Sequence, residues 1–483
     1  MKKRLCALLL FCAFLIISCS SAASAEAGID FEYPAEHLSS QSTLQSLESA
    51  VDLDALESYL FEQFKTCPDY IDISSFGLDY DYSGALKNFI WDEMYGAFQI
   101  YALGTAPSLD GSIISEVYAT YRYDAETYNS MYAECVAQAE KLLSGIKDNS
   151  KLSEVEKALL IHDRLAIHCE YDYDAYLAGA LPEEAFYIYG ALVSRQAVCQ
   201  GYAEAYGFLL DMVGIESYIC ESDTLNHAWN IVYIGGKPYH VDVTWDDPVW
   251  DVNGRVDHEN FLRSNSGIAA SGHNASDYDM PAIYGDYENA SWMYNTSEYV
   301  LLNGEIYYIA KVQGGTSGTL MRYSDGAVLA DLSGMWMASA SSFWRGNYSR
   351  LSTDGKYLYY NTAKAVYRFD VATNTAEKIF EPDLSAYENY SIYGFRYENG
   401  KLIYDIFSKA NFTAETPIDL EYEYVANITG DVDGSGRVDS LDLVILAQMI
   451  ASGNTNGSAD INGDSAVSSI DLVTLAQLIA SGE

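Results

Sequence analysis

Cys199, His227 and Asp242 are the residues of this chain whose types could together do chemistry. A cysteine attacks a carbonyl carbon as its thiolate. That needs a base to form the anion and a carboxylate to orient the base. The three stand in separate contexts: Ala197-Val198-Cys199-Gln200-Gly201-Tyr202, then Asn226-His227-Ala228-Trp229-Asn230, then Tyr239-His240-Val241-Asp242-Val243-Thr244-Trp245. A lone cysteine at a helix start is more often a buried structural thiol, and a lone strand histidine more often packs. Their joint occurrence with an aspartate shifts that balance.

The elements that must position them can be read locally. Residues 197–213 are mostly good helix formers, and Gly214 stands where a helix would stop. Cys199 then lies in the first turn, where free backbone N–H groups and the helix dipole favour an anion. The same N–H groups, with Gln200 beside them, are the candidate oxyanion donors. Residues 226–234 and 238–245 read as two strands joined by Gly235-Gly236. If that pair is a two-residue turn, cross-strand partners have numbers summing to 471. His227 and Asp242 sum to 469, which puts them on one face as diagonal neighbours.

The runs Val198 to Ala205, His227 to Val232 and Tyr239 to Pro248 resemble the core of the transglutaminase-like superfamily, relatives of papain-type cysteine enzymes. Leu160 to Asp163, Glu170 to Tyr173 and Phe261 to Ser264 resemble its lead-in and closing segments. The resemblance covers roughly residues 150–265. It implies a papain-like fold with a Cys199–His227–Asp242 triad and acyl transfer at amide bonds. Peptide hydrolysis is the leading expectation and protein crosslinking the alternative. A non-catalytic binding or assembly protein is the competing class, against which an intact triad speaks. No cofactor is expected for this core.

A second pattern lies at the C-terminus. Leu441 to Gly453 recurs as Ile470 to Gly482, identical at ten of 13 positions at an offset of 29 residues. Before each copy runs a calcium-loop spacing of hard oxygen donors. Positions 1, 3, 5, 9 and 12 are Asp431, Asp433, Ser435, Asp439 and Asp442 in the first loop. In the second they are Asp460, Asn462, Asp464, Ser468 and Asp471. The carbonyls of Arg437 and Ala466 complete each shell. An acidic surface turn does not explain two copies in register. Paired loops of this kind, each followed but not preceded by a helix, resemble a type I dockerin over residues 430–483. The resemblance implies two Ca²⁺ ions and a cohesin module of a scaffolding protein as partner. The partner-reading pairs it implies are Ser440-Leu441 and Ser469-Ile470. Ser435 replaces a more usual carboxylate, and Ser465 stands where glycine is expected.

The rest of the chain frames these two patterns. Residues 1–25 read as an export signal: Lys2, Lys3 and Arg4, an apolar run from Leu5 to Ile17, and the small-residue site Ala23-Ser24-Ala25. Lipid modification at Cys19 is the alternative processing. Residues 26–150 read as a largely helical lead-in, with helices over 44–64 and 128–146. The catalytic core is placed at 151–270. Residues 285–425 read as an antiparallel β module of open or irregular propeller type. Its turns are signalled by Asn303-Gly304, Asp325-Gly326, Asp354-Gly355 and Asn399-Gly400. The expected whole is a multidomain α+β, extracellular, cellulosome-associated protein.

Composition narrows the partners. With 27 basic and 69 acidic residues, a net charge of −42, the chain lacks the clustered Lys and Arg that phosphate binding needs, and nucleic acid is excluded. Five cysteines follow the signal, an odd number that fits one free thiol and at most two bridges.

Overall fold

A computed structural model describes residues 46–249, 251–278, 281–311, 317–334, 336, 347–385, 390–408, 418–424, 440–452, 459–462 and 466–481, with Gly430, Val432 and Val438. The expected export signal and Cys19 lie outside the described residues. So do the loop residues Asp431, Asp433, Ser435, Arg437, Asp439 and Asp464. Contacts divide the chain into two compact units. One ends at Asp251 and resumes over Arg255–Ile306; the other takes Val252–Gly254 and the chain from Tyr307 onward.

The first unit opens with α1 (Leu53–Phe64), β1 (Tyr70–Asp72), α2 (Ser83–Asp92), β2 (Ile100–Pro107), β3 (Ile114–Tyr121) and α3 (Ala125–Leu142). This corrects the expectation of a largely helical lead-in. An antiparallel sheet of order β1-β3-β2 stands between the helices. Its strands carry residues that suit a pleated surface, such as Val117, Tyr118 and Thr120, and Gly111 turns at φ +77°. Ile100, Leu103, Ile114 and Val117 join Leu56, Leu60 and Phe64 in one buried cluster. The helix expected over 44–64 is interrupted because Asp52 accepts from the Ala55 amide and starts α1 afresh.

Four further elements deliver the cysteine. α4 (Glu154–His168) begins with a full capping box, Ser153 and Glu156 exchanging bonds with each other's backbone N–H. β4 (Glu170–Tyr171) follows, then α5 (Tyr173–Ala178), and β5 (Gln196–Ala197) pairs in parallel with β4. That pairing brings the end of α4 beside the entry to α6 (Cys199–Asp211), whose first residue is Cys199. Gly201 lets α6 approach the turn at 183–186, where a Cβ would meet the Ala185 carbonyl oxygen. Gly214, at φ +74°, stands just past the helix as expected.

The sheet β6 (Ser217–Ser222), β7 (His227–Ile234) and β8 (Lys237–Val241) then packs on α6. Ile234 pairs with Lys237 and Asn230 with Val241, so partners sum to 471. β8 ends at Val241, short of the expected Trp245. Asp242 leaves the ladder to cap the one-turn helix α7 (Val243–Asp246), and α8 (Asn265–Ser271) closes the core. Asn230 Nδ2 donates to the Ala203 carbonyl at 2.9 Å, tying β7 to α6.

Beneath α7 lies a fully buried charge network. His162 of α4 donates Nδ1 to Asp163 at 2.8 Å, and its Nε2 faces Asp246 at 3.3 Å as an ion pair. Asp163 also accepts His258 Nε2 at 3.0 Å and the Tyr299 amide at 2.6 Å. Burial opposes charge on His162, but the Asp163 carboxylate that accepts from it and the Asp246 carboxylate facing it outweigh that and push the ring up to about 9. A folded value above the unfolded one binds a proton that stabilises the fold. That contribution is complete below about 6.5, the free histidine value, and is lost as pH rises through about 9. His162→Gln should therefore melt below the wild type, with a gap that narrows as pH climbs across this window. Calorimetry against pH checks it, and a gap independent of pH would contradict it.

The second unit consists of antiparallel meanders and a helical pair. β9 (Val300–Leu302) lies near the end of the first unit; in the second, β10 (Glu305–Lys311), β11 (Gly318–Arg322) and β12 (Val328–Asp331) pair as an antiparallel meander. β13 (Leu351–Thr353), β14 (Leu358–Asn361), β15 (Val366–Asp370) and β16 (Thr375–Phe380) form the next sheet. β17 (Tyr390–Glu398), β18 (Lys401–Ser408) and β19 (Ile418–Glu423) form the last. Asn303-Gly304 and Asn399-Gly400 both take positive φ, as tight hairpin turns require. Tyr359 and Tyr404 are buried with Val366, Ile392 and Phe395, so these tyrosines fill the core. At the end stand α9 (Ser440–Ser452) and α10 (Ser469–Ser481), packed through Leu446, Ile461 and Leu475.

Candidate functional site

The three chemistry-bearing residues converge. His227 opens β7 and is half-buried; Asp242 is fully buried at the start of α7. His227 Nε2 and Asp242 Oδ2 stand 2.7 Å apart. The ring's other nitrogen, Nδ1, is not used by Asp242, and the Cys199 thiol is near enough to His227 to favour the ring's charged form. Cys199 is half-buried at the N-terminus of α6, where the first amides have no intrahelical acceptor.

The charges are interdependent. Burial disfavours a charged His227 ring, but the Asp242 carboxylate beside it and the Cys199 contact prevail and push it up to about 10. Burial likewise opposes an ionised Asp242, and the imidazoles of His227 and His273 hold it well below the usual carboxylate range. This suits a carboxylate that stabilises an imidazolium while a thiolate forms beside it.

Two features were not expected from the sequence. Gln200 Nε2 donates to Glu204 Oε1 at 3.3 Å, one helical turn on, so its side chain already has a partner. Burial pushes Glu204 up to about 8. His273 donates Nε2 to Asp242 Oδ2 at 2.6 Å and is fully buried. One signal could have found it: six of the seven histidines fall between residues 162 and 273. All five described cysteines, Cys67, Cys135, Cys169, Cys199 and Cys220, are free, so the two possible bridges are absent among them.

The C-terminal loops are described in part. Asp442 and Asp471 are fully buried. Asp442 accepts the Val432 amide at 2.7 Å, and Asp471 accepts the Ile461 amide at 2.9 Å, the same contact at an offset of 29. Asp471 also accepts from Ser468 at 2.7 Å. Burial opposes its charge, and these amides hold its carboxyl low. Asp460, Asn462, Ala466 and Ser468 share this turn. Among the described residues of these loops the donors are oxygens, buried position-12 carboxylates among them, and that set fits a hard cation such as Ca²⁺. Ser440-Leu441 and Ser469-Ile470 open α9 and α10 and are exposed, Leu441 by 54% and Ile470 by 59%.

No curated protein matches the chain. A solved structure described as "Crystal structure of a TGase" is similar at 19% identity and a TM-score of 0.21, covering 29% of this chain. The chain spans 44% of that structure's length. Residues 429–480 match the family Dockerin type I domain. No described helix is long and apolar enough to cross a membrane. Type I dockerin domains bind calcium and dock to cohesin modules in extracellular, cellulosome-type assemblies. The chain therefore carries a type I dockerin domain at residues 429–480.

Proposed function

We propose that this is a secreted cysteine enzyme of the transglutaminase-like kind, held to a scaffold through its dockerin. The observation that carries the catalytic half is the His227–Asp242 contact at 2.7 Å beside a helix-start Cys199. In this reading Cys199 Sγ attacks an amide carbonyl carbon while His227 Nδ1 takes the thiol proton. The C–N bond breaks as His227 returns that proton to the leaving amine, giving a thioester. Water then attacks the thioester, His227 accepts its proton, and the acid and thiol are released. The oxyanion is met by free backbone N–H groups at the start of α6. Gln200 supports that turn through its bond to Glu204.

Peptide hydrolysis is the favoured outcome, and transamidation differs only in the nucleophile of the last step. Export with cleavage after Ala25 gives a mature chain beginning at Glu26. Two Ca²⁺ ions bind one to each loop, and Ser440-Leu441 and Ser469-Ile470 are equivalent cohesin-reading surfaces. The test is product analysis by mass spectrometry after incubating the full mature chain with a mixed protein substrate. New peptide termini are expected; amide crosslinks would instead indicate transamidation, and no change in substrate would overturn the enzymatic reading.

A further inference from the structure

We infer that His273 is a positioning residue for the catalytic carboxylate, so that the working unit is His227–Asp242–His273 behind Cys199. This rests on the Cys199–His227–Asp242 reading and adds a fourth residue to it.

The geometry is specific. Asp242 has two oxygens and two tasks. Oδ1 accepts the Trp245 amide at 3.1 Å and caps α7. Oδ2 accepts His227 Nε2 at 2.7 Å and His273 Nε2 at 2.6 Å. The carboxylate is thus held from three directions. Its position is shared by two rings whose centroids lie 5.5 Å apart. A carboxylate held by His227 alone could swing with that ring. One pinned from behind by a second donor must leave the imidazole to adjust to it.

The surroundings of His273 argue against a packing role. Its ring lies 4.0 Å from Trp245 and 5.0 Å from Trp229, centroid to centroid, in an aromatic slot that phenylalanine could fill. Nδ1 is buried there with no partner. Leaving a polar atom buried without a partner is costly. Histidine accepts that cost only where Nε2–H has a use, and its one observed polar contact is Asp242. The unpartnered Nδ1 also fixes the tautomer, with the proton on the nitrogen facing the carboxylate. The ring is anchored through its backbone, since the His273 carbonyl accepts Tyr278 Oη at 2.6 Å and its amide donates to Ile268.

The role predicts a defined pattern of rates. His273→Phe fills the slot without a donor. Its kcat should fall about ten- to a hundredfold, because small misplacements of catalytic groups cost that much, with KM little changed. His273→Gln carries an amide N–H at the reach of Nε2 and should recover most of that rate. His273→Asn carries the same group too short to reach Asp242 and should not. The three variants are compared with wild type on one amide substrate, with melting temperature measured alongside. If His273→Phe fails to fold, the Gln and Asn pair decides the matter at matched stability. Full kcat in His273→Phe, or equal rates for Gln and Asn, would overturn the role while leaving the triad standing. A wild type that neither turns over nor needs Cys199 would instead remove the reading on which the inference rests.

Discussion

Cys199→Ala should reduce turnover of amide substrates by about six orders of magnitude, the loss that accompanies removal of a covalent nucleophile, and leave the fold intact. The thiol is half-buried at a helix start, so its removal should cost little stability. Asp242→Asn should lose about four orders of magnitude, since an amide can neither fix the imidazole tautomer nor stabilise its charge. His227, held near 10 by that carboxylate, would then move down toward the ordinary histidine range. The acid side of the profile should be broad in the wild type, because Asp242 stays ionised well below the usual carboxylate range. The measurement is kcat for each variant against pH, with circular dichroism as a control for folding. Unchanged turnover in Cys199→Ala would contradict the assignment.

Chelation should abolish docking, and a double substitution should weaken it far more than either single one. The dockerin is about 50 residues long, a size at which apolar burial alone rarely secures a fold and a metal commonly supplies the difference. Its core is small, with Leu446, Ala459 and Leu475 fully buried. Without an ion, the carboxylates of each loop repel one another. The exposed residues Leu441 and Val444 recur as Ile470 and Val473, so the two halves offer the same apolar face. Changing Ser440-Leu441 or Ser469-Ile470 alone to charged residues should leave affinity nearly intact, because the other face still docks. Changing both should weaken binding by two orders of magnitude or about 3 kcal/mol. Titration calorimetry of the full chain with cohesin modules, with and without chelator, reads both effects. Full binding by the double variant, or in chelator, would contradict the account.

The sequence was most informative where periodicity and turn chemistry act together. A two-residue Gly235-Gly236 turn admits one register, so the proximity of His227 and Asp242 followed from arithmetic, and the observed pairs sum as expected. Asp242 itself lies beyond the strand. Its side chain is needed as a cap for Trp245, a local competition that alternation of apolar residues does not reveal. The turns at Asn303-Gly304 and Asn399-Gly400 were legible because positive φ restricts which residues can stand there. The sheet of the lead-in was less so. β1 has three residues and takes its place only by pairing with β3, more than forty residues on, which no local window contains. His273 was legible only through the clustering of histidines: Ser271-Gly272-His273-Asn274 carries no periodic signal, and its contact with Asp242 spans 31 residues. Gln200 stood where an oxyanion donor would, but the helix supplied Glu204 one turn away as a nearer partner.

The central claim is that the Cys199 thiol is activated by its histidine, and alkylation tests it most directly. Iodoacetamide is added to the native chain at about pH 6, below the ordinary thiol range, and each cysteine peptide is followed by mass spectrometry. Cys67 is the internal control, half-buried like Cys199 but with burial and Asp124 pushing its thiol up. Cys135, pushed up to about 12 by burial, should stay unmodified. Cys199 should react well before Cys67 in the wild type and lose that lead in His227→Ala. Equal rates for Cys199 and Cys67, or a lead that survives the loss of His227, would contradict the account.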